Sequence, residues 1–277
     1  MPRISRRDLL CRLLLSTTVS TLILLGLRFA ARQEYYPWHI PGQLVVLNKL
    51  SKSITLFDLQ QGNELSEIYF SGIPHFILPQ ERNATQLFVY GYHSKLPMGQ
   101  LRRNEPLQFP IKRADLVWSA SNTNDYVSVP TTGEIWHLQH NRIEIKEIES
   151  NRIAKVVPLS DKPRHIQLST DADHIFVTSP EAGVVWVFDT HDRICKHTIE
   201  FPGKEGWLDR FLFHTPRPSN IVFHPNGKLA FVSNSNADKV AVIELSKFTI
   251  VGVINTGRVP DAMALILPSK NEFVDTK

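Results

Sequence analysis

Four prolines in this 277-residue chain stand just ahead of short apolar runs, and the residue behind each carries chemistry. They are His75 after Pro74, Arg164 after Pro163, Ser219 after Pro218 and Asp261 after Pro260; His165 and Asn220 lie one step further on. An imidazole, a guanidinium, a hydroxyl and a carboxylate gathered round one axis would hold an anionic ligand, a metal ion or the carboxylate of a cofactor. With no ligand the same ring is a solvated polar mouth. Either reading requires a fold that brings these distant positions to one place.

Other chemistry is limited by spacing. Cys11 and Cys195 are the two cysteines, and Cys11 lies in the N-terminal leader, so the rest of the chain can form no internal disulfide. No C-x-x-C-H is present, which excludes covalent haem, and neither H-E-x-x-H nor a paired-cysteine metal spacing occurs. His39, His137, His140, His174, His191 and His197 fall in loops or at strand ends without common geometry, and His224 reads as a turn residue. The sequence specifies no cofactor.

The elements that must position the ring are strands. In "FHPNGKLAFVSNSNADKVAVIEL", Phe223 to Leu245, two runs rich in β-branched residues flank polar turns. Asn226-Gly227 suits a type I′ turn with both residues at positive φ. The unit recurs: Pro, a short apolar strand, a polar turn, then an aromatic followed by Val. Phe88-Val89, Tyr126-Val127, Phe176-Val177 and Phe231-Val232 are the four aromatic-Val pairs, and "KRADLVWSASNTND" leads into the copy at Tyr126. Third and fourth strands are visible at Val184 to Asp189 and Ile194 to Phe201. Four short strands in roughly 40 to 55 residues is the size of a propeller blade. An antiparallel sandwich is the competing fold, but it would not repeat one blade pattern.

The stretch "PSNIVFHPNGKLAFVSNSNADKVAVIELSKFTIVGVINTGRVPD" resembles the repeat of YVTN-family β-propellers, with "AFVSNSN" at the signature strand and "VAVIEL" at the next. Weaker matches are "VVLNKLSKSITLFDLQQG" and "IFVTSPEAGVVWVFDTHD", and the resemblance spans roughly residues 43 to 267. It implies an all-β propeller of four-stranded blades. The literal count is five, against seven in most relatives, so a shortened or degenerate seven-bladed form is the alternative. The last inner strand, Ala262 to Leu267, lacks outer strands, while Gln43 to Phe70 supplies three strands without an inner one. Together they are expected to form a composite closing blade. The family pattern often has Pro-His at the channel mouth; His75 matches it, and His165 is shifted by one. The family includes lactonases, cofactor-binding redox proteins and pure binding scaffolds, so function must come from the site.

A loop on the same side breaks the regular spacing. After Phe201 the chain runs through "PGKEGWLDRFLFHTPRP", carrying Trp207, Leu208, Phe211, Leu212 and Phe213 beside Asp209, Arg210 and His214. So apolar a loop is either a cap on the core or a docking loop, with Trp207, Arg210, Phe211 and Phe213 as contacts.

Residues 1–32 form a separate segment ahead of the propeller domain, 33–277. Arg6-Arg7 followed by Asp8-Leu9-Leu10 resembles a twin-arginine export signal. The run Leu13 to Leu27 would make a helix of about 22 Å, short of a hydrocarbon core of about 30 Å. Export followed by release and retention through a tether at residues 13–31 both stay open, and either puts the propeller in the periplasm or elsewhere outside the cytoplasm. This segment holds six of the 31 Lys+Arg and one of the 27 Asp+Glu, leaving 25 against 26. The basic excess therefore belongs to the leader, and nucleic-acid binding loses its electrostatic basis. Two functions remain: a non-catalytic exported scaffold binding an extracytoplasmic protein or a small anion, and a lactonase-like or cofactor-dependent redox enzyme.

Overall fold

Alternating β-branched and aromatic residues form twenty short strands in a computed structural model that describes residues 38–79, 87–90, 95–96, 115–119, 125–203 and 216–267. Residues Met1–Tyr36 separate as a unit of their own from Pro37–Lys277, and every described residue belongs to the second unit. In chain order the strands are β1 (Gln43–Asn48), β2 (Ser53–Asp58), β3 (Asn63–Tyr69), β4 (Phe76–Pro79), β5 (Leu87–Tyr90), β6 (Lys95–Leu96) and β7 (Asp115–Ser119). Then follow β8 (Tyr126–Val129), β9 (Glu134–Gln139), β10 (Arg142–Glu147), β11 (Ile153–Pro158), β12 (His165–Leu168), β13 (His174–Ser179), β14 (Val184–Asp189) and β15 (Ile194–Glu200). The last are β16 (Pro218–Phe223), β17 (Leu229–Asn234), β18 (Lys239–Glu244), β19 (Thr249–Asn255) and β20 (Pro260–Leu267).

Three sheets are four-stranded meanders, β8 to β11, β12 to β15 and β16 to β19; β4 to β6 form a shorter one. The fifth joins both ends of the domain in the order β3-β2-β1-β20-β7. β1 runs antiparallel to β20, with Gln43 opposite Ile266 and Val45 opposite Ala264, so the expected composite blade forms. The inner strands follow one another in the order β8, β12, β16, β20 and β4. This is a β-propeller, with its cores between neighbouring blades.

Period two explains how one strand serves two cores. Phe176 faces Ile221, Phe223 and Ala230 of the next blade, whereas Ile175 and Val177 face Trp136, Ile143 and Ile145 of the previous one. Phe176 and Phe223 meet edge-on at 5.0 Å, and Trp136 and Phe188 at 6.1 Å, geometries that aromatic quadrupoles favour. A third core joins Val45, Leu47 and Ile54 of the composite blade to Ile77 and Val89. Asp58 and Asp189 hold repeated outer turns: Oδ1 of each accepts two backbone N–H groups, from Gln60 and Gln61 and from His191 and Asp192.

Four details correct the sequence reading. Tyr126-Val127 lies on an inner strand, not a second one, because β8 pairs with β9 across a short turn and fills the place expected for Asp115–Ser119. That displaced segment, β7, pairs with β20 from Ser119 opposite Met263 to Asp115 opposite Leu267, so β20 is not the innermost strand of the composite blade. Asn226-Gly227 is no type I′ turn: Gly227 alone takes positive φ (70°), and its N–H donates to His224 O. Pro225 at the first central position fixes φ near −65°, which the type I′ geometry forbids. His224 is more than a turn residue. Nδ1 accepts the Asn226 N–H, leaving Nε2–H to donate to Pro41 O at 3.1 Å. The stretch before β1 thus straps across two blades, with Trp38 lying over Gly252, where any side chain would collide with the indole.

Candidate functional site at the channel mouth

The strand ends that begin at the repeat prolines share one face. Pro74, Pro163, Pro218 and Pro260 are all buried, so the residue following each is set in the same register. Arg164 and Asp261 meet there, with Arg164 Nη2 donating to Asp261 Oδ1 at 3.2 Å. The Arg164 backbone N–H donates to Thr178 O at 2.8 Å, fixing where the side chain starts. The other carboxylate oxygen, Oδ2, pairs with Lys49, which sequence reading missed. Lys49 follows β1, and its N–H donates to Val259 O, so only closure of the composite blade brings it to the mouth. The Asp261 side chain is 5% exposed, against 26% for Lys49 and 38% for Arg164: a sunken carboxylate under two cations that reach solvent. Pairing of β20 with β7 stops at Met263, so Asp261 extends past the last β7 partner.

His75 is half-buried and lies within electrostatic range of the same pair. Burial holds its pKa below the usual imidazole value, Lys49 pushes the same way, and Asp261 opposes. His165 and Ser219 are corrections to the solvated-ring picture, since both are buried. Burial, reinforced by Arg164, pushes the His165 pKa down to about 4, so the ring is neutral at physiological pH. Gln167 is near enough to favour the protonated ring slightly, but neither ring nitrogen makes a hydrogen bond of ordinary geometry. Ser219 Oγ sits 2.9 Å from Ser233 Oγ and 3.1 Å from Ser235 Oγ, and Ser235 donates to Pro260 O. Thr178 donates to Ser219 O, extending this hydroxyl chain across three blades. Ser219 therefore links neighbouring blades through these bonds.

Beside Arg164 a cleft of about 370 Å³ is lined by Asp125, Lys162, Pro163, Pro180, Glu181 and Arg217. These residues precede β8, β12 and β16 or lie in the β13–β14 turn, so the cleft belongs to the mouth face. Asn234, at the end of β17 and buried, ties down both flanks of the irregular loop. Its Oδ1 accepts from Arg217 N at 2.9 Å and its Nδ2 donates to Pro202 O at 3.2 Å. The loop contacts expected at Trp207, Arg210, Phe211 and Phe213, and the export signal at Arg6 and Arg7, lie outside the described residues. So do residues 13–31; among the described residues no helix is long and apolar enough to cross a membrane. Also among the described residues, no three His, Cys, Asp or Glu side chains converge at metal-binding distance.

No family model and no curated protein matches the chain. Solved structures do. A protein of unknown function from Bacteroides caccae matches at TM-score 0.50 and 9% identity over 82% of this chain and 99% of its own. Hydrazine synthase from Kuenenia stuttgartiensis matches at TM-score 0.40 and 13% identity over 77% of this chain and 46% of its own. The WD40 repeats of RRP9 match at TM-score 0.40 and 16% identity over 50% and 39%. The chain thus spans less than half the length of the last two. At such identities similarity bears on fold alone; the blades and their mouth define the class, a β-propeller.

Proposed function

We propose that this protein is an exported, non-catalytic propeller of the YVTN-repeat kind, a binding or assembly scaffold that works through its channel-mouth face. The observation that carries this reading is the buried Asp261 shared by Lys49 and Arg164, which fixes two cations at the mouth, one of them, Arg164, on the wall of a cleft. Fixed charge on rigid strand ends suits recognition. The same groups are poorly arranged for proton transfer or attack. Asp261 is ion-paired twice, and Ser219 is bonded to other hydroxyls rather than to a base. Docking contacts are assigned to Trp207, Arg210, Phe211 and Phe213, on a loop whose flanks Asn234 anchors at this face. The partner is an extracytoplasmic protein or a small anion rather than a nucleic acid, because the basic excess resides in residues 1–32. Arg6-Arg7 directs export, and residues 13–31 serve as a tether if they are retained.

The test is site-specific photo-cross-linking of the full chain in cells that express it. A cross-linker at Lys162, on the mouth, should give adducts that disappear with Arg164→Ala. One at Lys228, in the turn at the opposite ends of the strands, should give none. Adducts from Lys228 alone, or adducts from Lys162 indifferent to Arg164→Ala, would place the working face elsewhere.

A further inference from the structure

We infer that the cleft beside Arg164 is a recognition site for a peptide carboxylate, with Lys162, Arg164 and Arg217 as the cationic wall and Pro163 and Pro180 as rigid apolar sides. This deepens the mouth-face reading and rests on it. Three observations converge. Arg164 is held at both ends, its backbone N–H on Thr178 O and one guanidinium nitrogen on the sunken Asp261, so the exposed remainder of its fork is aimed before any ligand arrives. Lys162 Nζ and the Arg217 guanidinium have no ion-pair partner among the described residues, although both line the same cleft. Arg217 is also fixed through its backbone, which donates to the buried amide of Asn234. The preorganised Arg164 fork loses little freedom on binding, which separates this wall from an ordinary scatter of surface lysines.

Charge selects the ligand class. Among the described residues, three cations face two carboxylates, Asp125 and Glu181, a surplus of one positive charge. One carboxylate neutralises it. A phosphate dianion would overshoot and face both acids, whereas the N–H groups of a peptide would be favourable partners for them. The volume, about 370 Å³, accommodates a few residues rather than a single small anion. A C-terminal carboxylate and an acidic side chain offer the same group, and they are separable by experiment.

The test titrates the full-length protein, by calorimetry at low salt, with four probes. These are an acetylated trialanine with free C-terminus, its C-terminal amide, the acetylated amide Ala-Ala-Asp, and inorganic phosphate. At least one of the two acidic peptides should bind, the neutral amide should not, and phosphate should bind more weakly than the better acidic peptide. Binding of the free acid alone identifies chain termini as the source; binding of both acids identifies any exposed carboxylate, and binding of the Asp peptide alone identifies side chains. Arg217→Ala, which leaves the Asp261 pair intact, should weaken the better peptide about tenfold without lowering the melting temperature. Equal binding of the neutral amide, tighter binding of phosphate, or an unchanged midpoint in Arg217→Ala would overturn the inference. If Arg164→Ala abolishes mouth cross-linking while Arg217→Ala and the peptides show no effect, the mouth face stands and this cleft assignment falls. If neither variant alters any binding, the mouth reading falls with it.

Discussion

Two buried carboxylates, each paired with an arginine, sit at opposite ends of the blades and are handled differently. Glu134, 1% exposed, starts β9 on the face away from the mouth, where Oε1 lies 2.7 Å from Arg193 Nη2 of the next blade. Its other oxygen accepts from Thr132 Oγ1 at 3.1 Å and Trp136 Nε1 at 3.3 Å. Both oxygens are used inside the protein, and the pair cements two blades. Asp261 lies under two cations whose outer atoms reach solvent, beside a neutral His165 whose ring nitrogens are unsatisfied. Arg193 Nε at one end and the His165 ring nitrogens at the other are both buried without a hydrogen bond, so polar satisfaction does not separate the two ends; the second cation on Asp261 and the cleft beside Arg164 do. Buried Asn48, on the mouth side, has an Oδ1 without a hydrogen bond where β1 and β20 shift register between Val46 and Asn48.

The largest effect separating the two ends should come from deleting Pro260 to Lys277. This removes Asp261 together with β20, which has β1 on one edge and β7 on the other, and opens the apolar edge of β1. Loss of the single cooperative melting transition is expected, measured by circular dichroism or calorimetry. A sharp transition at the original temperature would show that the Asp261 end does not hold the fold closed.

The next effect is set by His165. Its folded pKa of about 4 lies below the ordinary value of 6.5, so the unfolded chain binds the proton first as pH falls. Stability from this group is intact above pH 6.5 and is lost progressively down to about pH 4, by at most about 3 kcal/mol. Arg164 opposes protonation and Asp261 favours it, so burial decides the sign. His165→Leu removes the ring without leaving a polar orphan and should flatten that part of the profile. Denaturant unfolding of both proteins from pH 7 to pH 4 gives the difference. Parallel profiles would mean that the ring is hydrated in the native state and the mouth is wetter than its burial indicates.

How much of this was legible depends on whether the cause is local. The blade pattern, the composite pairing of Gln43–Phe70 with the last strand and the common register of Arg164 and Asp261 follow from period-two alternation and repeat spacing. These signals are written in consecutive residues. Lys49 was not legible, because it stands in a turn and meets Asp261 only after both ends of the domain pair. β7 was misplaced for a related reason: Asp115–Ser119 has a good strand composition, but composition does not specify a partner, and β8 took the expected slot. Ser219 occupies the predicted register, but its burial and its contacts with Ser233 and Ser235 were not legible, because those hydroxyls come from the next strand and turn. The Asn226-Gly227 turn failed locally, since Pro225 outranks the dipeptide preference.

The smallest effect is the most direct comparison, Glu134→Ala against Asp261→Ala at neutral pH. Removing Glu134 strands the indole N–H of fully buried Trp136 and the Thr132 hydroxyl, while Arg193, with a side chain 40% exposed, can turn toward water. One buried unsatisfied donor and a lost cross-blade pair should cost about 2 kcal/mol. Removing Asp261 strands no comparable donor, because Lys49 and Arg164 both reach solvent, so about 1 kcal/mol is expected. Binding should follow the opposite order. Asp261→Ala releases Arg164 from its anchor and alters the charge beside the cleft, so the midpoint for the carboxylate peptide moves, whereas Glu134→Ala, on the far face, leaves it in place. Should Asp261→Ala prove the more destabilising and leave peptide binding untouched, the two carboxylates would have exchanged roles: Asp261 would be the cement, and its exposed cations would be no more than its solvent-facing half.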